Sequence, residues 1–195
     1  MARQEYDSVE LVGDSTVEQL VLAAVVAALT AGLAQVTIPF GPVPFTLQTA
    51  GVVLAGLALG PGWGGLSMVL YLLAGIAGAP VFAGFGAGLG VVTGPTGGYL
   101  VSYPLAAALV GGLVHRRVEP RSLTRVRVEL QVLALVAGIS LIYALGVPWL
   151  AATTDQSLWT AAVQGALVFV PGDLLKAAVV LTLVRGGHVA IADRR

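Results

Sequence analysis

The chain has 195 residues, of which 57% are hydrophobic and 10% charged, and its ten basic and ten acidic residues cancel to zero net charge. Soluble domains carry about 25% charged residues, so this composition, with a mean hydropathy of +0.91, excludes a water-soluble globule and indicates an integral membrane protein. Cysteine is absent, which excludes disulfides and thiolate metal sites; His115 and His188 stand near arginines in polar stretches, where both are expected to be solvated, and no metal is expected.

The apolar stretches are continuous rather than alternating, which indicates helices and not a barrel. Residues 1–16 form an acidic tail without the basic region of a signal peptide. Ser15 and Glu18 have capping-box spacing ahead of the first apolar run. A crossing needs about 20 mostly apolar residues. The first span is predicted over 17–37. After the turn IPFGPVPF a second runs to about Gly60, where Gly60-Pro61-Gly62-Trp63 reads as a turn, and a third continues to about Gly78. Residues 79–97 are rich in glycine and proline. A fourth span covers about 98–114, and a fifth about 130–152. The last apolar region, Leu158–Val184, is interrupted by Pro171-Gly172, since proline removes a backbone donor and clashes with the preceding turn. It reads as a helix over 158–170 lying at or dipping into the outer face, followed by a sixth span. A single long kinked helix is the alternative. The expected fold is therefore all-α, with six transmembrane helices over 17–187 and short tails at 1–16 and 188–195.

Six crossings place both termini on one side, and the arginines agree. Arg3, the five between spans four and five (Arg116, Arg117, Arg121, Arg125, Arg127), and Arg185, Arg194 and Arg195 all fall on that side. The positive-inside rule makes it the cytoplasm. The remaining base, Lys176, is the only lysine and lies inside the apolar stretch VFVPGDLLKAAVVLTLV, three residues after Asp173.

Residues three apart on a helix share a face. A charge at a helix centre in a bilayer costs about 2.5–3.5 kcal/mol on insertion scales, so such groups face the bundle interior and mark a ligand or ion path. One reading is a self-satisfied ion pair that fixes helix packing. The other is a binding site: freed amides at a helix break, beside a cation, suit a polar group, and a carboxylate with an ammonium matches a ureido or amide. Two further stretches are expected on the same outer side. PFTLQT supplies Phe45, Gln48 and Thr49 at a helix entrance. AGFGAGLGVVTGPTGGY supplies Gly84, Gly86, Gly94, Thr96 and Tyr99, and is either a lid over the site or a tight turn. No Gly-Lys-Ser/Thr phosphate loop exists, so uphill transport would need a partner or an ion gradient. The first span carries small residues every fourth position, Ala23, Ala27 and Ala31 on one strip and Ala24 and Ala28 on a neighbouring one, a pattern that lets helices approach closely in lipid.

PFTLQT at 44–49, PVFAGFGAGLGVVTGPTGGY at 80–99 and PGDLLK at 171–176 together resemble the BioY family, over about residues 17–187. These are the biotin-binding S components of energy-coupling factor (ECF) vitamin transporters. The resemblance implies a multi-pass protein of a bacterial or archaeal cell membrane that captures biotin at the outer face. It would then dock onto a transmembrane coupling protein carrying two ATPase subunits. It places Asp173 and Lys176 in the binding site, the loops around Phe45, Gln48 and the glycines over it, and one of the two alanine strips on the coupling protein. The chain departs from the family pattern over Ala83 to Gly88, which offers no side-chain donor. No cofactor is implied beyond the ATP used by the partner subunits, and no nucleic acid. A stand-alone secondary transporter with Asp173 as a proton site is the alternative. An intramembrane enzyme lacks a second reactive group beside the Asp173–Lys176 pair, so no enzymatic activity is expected.

Overall fold

The computed structural model describes residues 14–116, 123 and 126–186. Its order is α1 (Asp14–Ala34), β1 (Thr37–Ile38), β2 (Phe45–Thr46), α2 (Gln48–Ile76), α3 (Leu89–Thr93), α4 (Gly97–His115), α5 (Val128–Thr154), α6 (Leu158–Ala162) and α7 (Val170–Arg185). The protein is an all-α membrane protein. Its only sheet among the described residues is the antiparallel pair β1–β2, in which Thr37 faces Thr46 and Ile38 faces Phe45. That hairpin falls in the segment read from sequence as a turn. The first helix begins at Asp14, so the acidic tail ends earlier than residue 16. His188 and most of the terminal and loop arginines lie outside the described residues.

Among the described residues, five stretches are long and apolar enough to cross a membrane: 15–34, 48–76, 97–115, 128–154 and 158–185. The second is not one rod. Gly60 breaks it with φ +76°, a conformation open to glycine, and Pro61 follows. The chain then folds back on itself: Gln48 Nε2 donates to the Tyr71 hydroxyl at 2.6 Å, although 23 residues of straight helix would separate them by about 35 Å. The expected turn at 60–63 is therefore present, with a helical arm on each side.

The hinge explains His115. It is fully buried, not solvated as its polar flank suggested, and its Nε2 donates to the Leu57 carbonyl at 2.8 Å. An α-helical carbonyl at 57 would accept from the amide of residue 61. That residue is proline and has no N–H, so the imidazole from the end of α4 satisfies the carbonyl instead. Gly111, one turn earlier, lets α4 pack directly on the hinge. A Cβ there would lie 2.5 Å from the Pro61 nitrogen, and backbone cannot step aside as a side chain can. Gly111→Ala is expected to lower stability by about 2–3 kcal/mol, read as a clear drop in melting temperature in detergent.

The last apolar region follows the kinked-helix alternative rather than the broken one. Between α6 and α7 the chain makes a single π-helical turn over Val163–Leu167, and Val168 and Phe169 keep right-handed helical angles. Residues 158–185 thus form one helical run. Pro171 sits in the first turn of α7, directly after the π-helical turn, and without an N–H it cannot make the helical bond to the Leu167 carbonyl, which keeps the run irregular at this point.

The ends of the bundle differ in polarity. Arg116, Arg127 and Arg185 lie at the C-terminus of α4, the N-terminus of α5 and the C-terminus of α7. There Arg185 reaches the carbonyls of Leu123 and Val126 at 3.3 and 3.2 Å, and Gln131, fully buried, donates to the same two oxygens at 2.7 and 3.0 Å. The opposite end carries the β-hairpin and the glycine-rich segment.

Candidate ligand-binding site

Asp173 enters the structure in the first turn of α7, just past the π-helical turn, with its own amide bonded to the Phe169 carbonyl at 2.9 Å. Lys176 follows on the same face. Both are buried, at 3% and 9% exposure, and they form an ion pair with Lys176 Nζ 2.6 Å from Asp173 Oδ1. Neither charge depends on this contact alone. Lys176 also donates to the Thr46 carbonyl at 2.5 Å and to Thr49 Oγ1 at 3.3 Å, and its Nζ lies 3.7 Å from the centre of the Phe45 ring. Asp173 Oδ1 accepts from Thr49 Oγ1 at 2.8 Å, and Oδ2 accepts a short bond from the Tyr143 hydroxyl.

The three ammonium protons are thus engaged within the protein. Two protein donors lie on Oδ1 and one on Oδ2, so a carboxylate with about four acceptor positions keeps one free, on Oδ2. No gap separates the two charges in this arrangement, so a polar group in the cavity meets the pair from its side. Lys176 ties the β-hairpin to α7. Gly172 permits that docking: a Cβ on it would lie 2.5 Å from Phe45 Cε2.

The pair forms one wall of a cavity of about 250 Å³, near the lower end of the 300–1,000 Å³ common for small-molecule sites. The hairpin and the start of α2 contribute Phe45, Thr46, Gln48 and Thr49. The segment after α2 contributes Phe82, Ala83, Val91 and Thr96, and α4 contributes Tyr99, Leu100 and Tyr103. The far wall is Ile142, Tyr143, Gly165 and Phe169. Seven residues singled out from the sequence are brought together here: Phe45, Gln48, Thr49, Thr96, Tyr99, Asp173 and Lys176. Gln48 is locked at both ends, accepting from Thr46 Oγ1 at 2.8 Å and donating to Tyr71, so it braces the wall.

Gly84, Gly86 and Gly94 are not on the cavity wall. Gly84 has φ +63° in a tight turn, and the Gly94 carbonyl accepts from Trp149 Nε1 at 2.9 Å. These positions serve the path of the chain and its packing on α5, and Gly98 does likewise, since any Cβ there would overlap Trp149. Sequence reasoning missed Tyr103, Tyr143 and Phe169. Tyrosine in the middle of an otherwise aliphatic span was the available signal, because a buried hydroxyl needs a partner. Tyr99 has one in the Gly165 carbonyl at 2.9 Å. Tyr103, also buried on the cavity wall, makes no hydrogen bond to the described residues.

The two alanine strips of α1 separate cleanly. Ala23 and Ala27 are buried, and the Ala23 carbonyl accepts from Ser67 Oγ at 2.8 Å, so that strip packs internally, with Ala31 half-buried beside the core. Ala24 and Ala28 are exposed, among the outward-facing Leu20, Val21, Val25 and Leu29.

Comparison with known proteins fits this architecture. A biotin transporter BioY of Rhizobium etli is 34% identical over 170 residues, spanning 85% of this chain and 90% of that protein. A "Probable biotin transporter BioY" of Pyrococcus horikoshii is 38% identical over 161 residues, spanning 83% and 90%. The crystal structure of an S-component for biotin from an ECF-type ABC transporter superposes with a TM-score of 0.81 at 28% identity, covering 91% of this chain and 94% of the other. The model of the BioY family matches residues 4–193, nearly the whole sequence, and the chain belongs to that family.

Proposed function

We propose that this chain captures biotin within the membrane and serves as the substrate-binding component of an ECF-type ABC importer, without enzymatic activity of its own. The observation that carries the proposal is the buried aromatic cavity closed at one side by the Asp173–Lys176 pair, in a member of the BioY family. Biotin combines a ureido group with an apolar bicycle and an apolar chain ending in a carboxylate. The free acceptor position on Asp173 Oδ2 suits a ureido N–H, and the Tyr103 hydroxyl, without a hydrogen bond to the described residues, suits a carbonyl or carboxylate oxygen. Phe45, Phe82, Tyr99 and Phe169 supply apolar faces for the rest. Six crossings follow if the two arms about Gly60 count separately. The arginines at the end opposite the cavity support a cytoplasmic location for that end and an outward-facing site. The exposed Ala24–Ala28 strip, rather than Ala23–Ala27, is then the surface for a transmembrane coupling protein, with ATPase subunits attached to that partner.

The test is a calorimetric titration of the detergent-purified chain with biotin and, in parallel, thiamin. Saturable one-to-one heat is expected with biotin alone. Absence of saturable biotin binding, or equal binding of thiamin, overturns the proposal.

A further inference from the structure

Gln35 lies just beyond α1, outside the cavity wall, and makes an unusual set of contacts. Its Nε2 donates to the Ala31 carbonyl at 2.9 Å, and reaches across to the carbonyls of Phe82 and Val81 at 3.2 and 3.5 Å. Its Oε1 accepts from the Phe85 amide at 2.8 Å. One side chain therefore grips both arms of the tight turn at 82–86 and fastens that turn to the end of α1. The turn needs such a fastening. Phe85 holds φ +60°, a conformation uncommon outside glycine and costing about 1–3 kcal/mol where it occurs, and the residue is 69% exposed, so packing of that side chain does little to hold it.

What the turn carries is part of the cavity. Phe82 and Ala83 both line it. The Phe82 ring, 1% exposed, lies edge-on to Tyr71 at 5.6 Å and so close over Gly75 that a Cβ there would overlap it. The Val81 carbonyl is held from the other side by the Tyr71 hydroxyl at 2.9 Å. The peptide beside Phe82 is thus gripped between two side chains from different helices: Tyr71 from α2, and Gln35 from the end of α1.

We propose that Gln35 is a positioning residue. It clamps the 82–86 turn as a wall of the cavity, and the strength of that clamp sets how long a bound ligand stays. Gln35 acts only through Phe82 and Ala83, so it governs release rather than recognition. The statement about residence time rests on the capture of biotin proposed above; the statement about the clamp does not.

Two variants separate the polar clamp from packing. Gln35→Met keeps the length and bulk of the side chain and deletes every donor and acceptor. Gln35→Glu keeps the acceptor for the Phe85 amide but turns oxygens toward the carbonyls of Ala31 and Phe82. The chain has no cysteine, so Phe85→Cys gives a unique site for a nitroxide label on the turn, and its spectrum reads clamping without any ligand. In that background both Gln35 variants are expected to raise label mobility. In the unlabelled chain, dissociation of radiolabelled biotin is expected to quicken about tenfold, the equivalent of about 1.4 kcal/mol, while association changes less than about twofold. An unchanged label spectrum in both variants overturns the clamp. A mobile turn with unchanged release, in a chain that binds biotin, overturns its role in retention. Failure of the unsubstituted chain to bind biotin overturns the proposed function instead, and the label spectra still decide the clamp. Should Gln35→Met not fold, Gln35→Glu carries both measurements.

Discussion

Lys176→Met is expected to weaken biotin binding by at least about two orders of magnitude and to destabilise the unliganded chain at the same time. The lysine is one of three protein partners of a buried carboxylate, and removing one member of a buried pair costs about 3–5 kcal/mol because the other charge is left uncompensated. The loss also spreads beyond Asp173. The Thr46 carbonyl loses its donor and the Phe45 ring loses the cation above it, so the hairpin that forms one side of the cavity loses its anchor on α7. A second variant tells anchoring from recognition. In Asp173→Asn/Lys176→Met both charges are gone, and since a buried ion pair exchanged for less polar groups of similar volume is often neutral, most of the stability should return. Binding should not. Melting curves and titrations of the two variants side by side make the comparison. Wild-type affinity in the double variant would reduce the pair to a packing device.

The second large effect is expected from Gly146→Ala in α5. Tyr99 lies flat against this glycine, and a Cβ there would overlap its ring. The ring has no easy retreat, because its hydroxyl is fixed on the Gly165 carbonyl at 2.9 Å and the other open direction is the cavity it lines. Overpacking of this kind costs about 1–3 kcal/mol, so biotin affinity is expected to fall about 10- to 100-fold, the ring now occupying ligand space. The double variant Gly146→Ala/Tyr99→Ala should bind no more weakly than Tyr99→Ala alone, since the clash needs both partners. Additive losses would show that Gly146 acts through something other than Tyr99.

Much of this was legible in the sequence, for identifiable reasons. Long apolar runs bounded by Gly60-Pro61 and by the polar stretch after His115 mark helix ends, because backbone chemistry at proline and glycine acts locally. The Asp173–Lys176 pair was visible because charge in an apolar run is conspicuous. What the pair touches was not visible, since Thr46, Thr49 and Tyr143 reach it from elements 30 to 130 residues away. The membrane environment also misled in one place: His115 beside Arg116 looks like the start of an aqueous loop. It is instead drawn inward by a carbonyl that proline elsewhere in the chain leaves without its helical donor. Within the glycine-rich segment Thr96 and Tyr99 reach the cavity wall while Gly84, Gly86 and Gly94 do not, for a similar reason. A glycine required for close packing, such as Gly98 against Trp149, has the same one-letter code as one that admits a ligand.

The π-helical turn at Val163–Leu167 has a further consequence, for angular phase. Each residue advances a helix by about 100°, so deleting one residue between Val163 and Phe169 would restore regular winding while rotating all of α6 by that angle relative to α7. The Gly165 carbonyl would swing away from Tyr99, and Trp159 would leave the outward direction it now takes. The extra residue acts as a phase shifter, letting one continuous helical run present α6 and α7 to different neighbours.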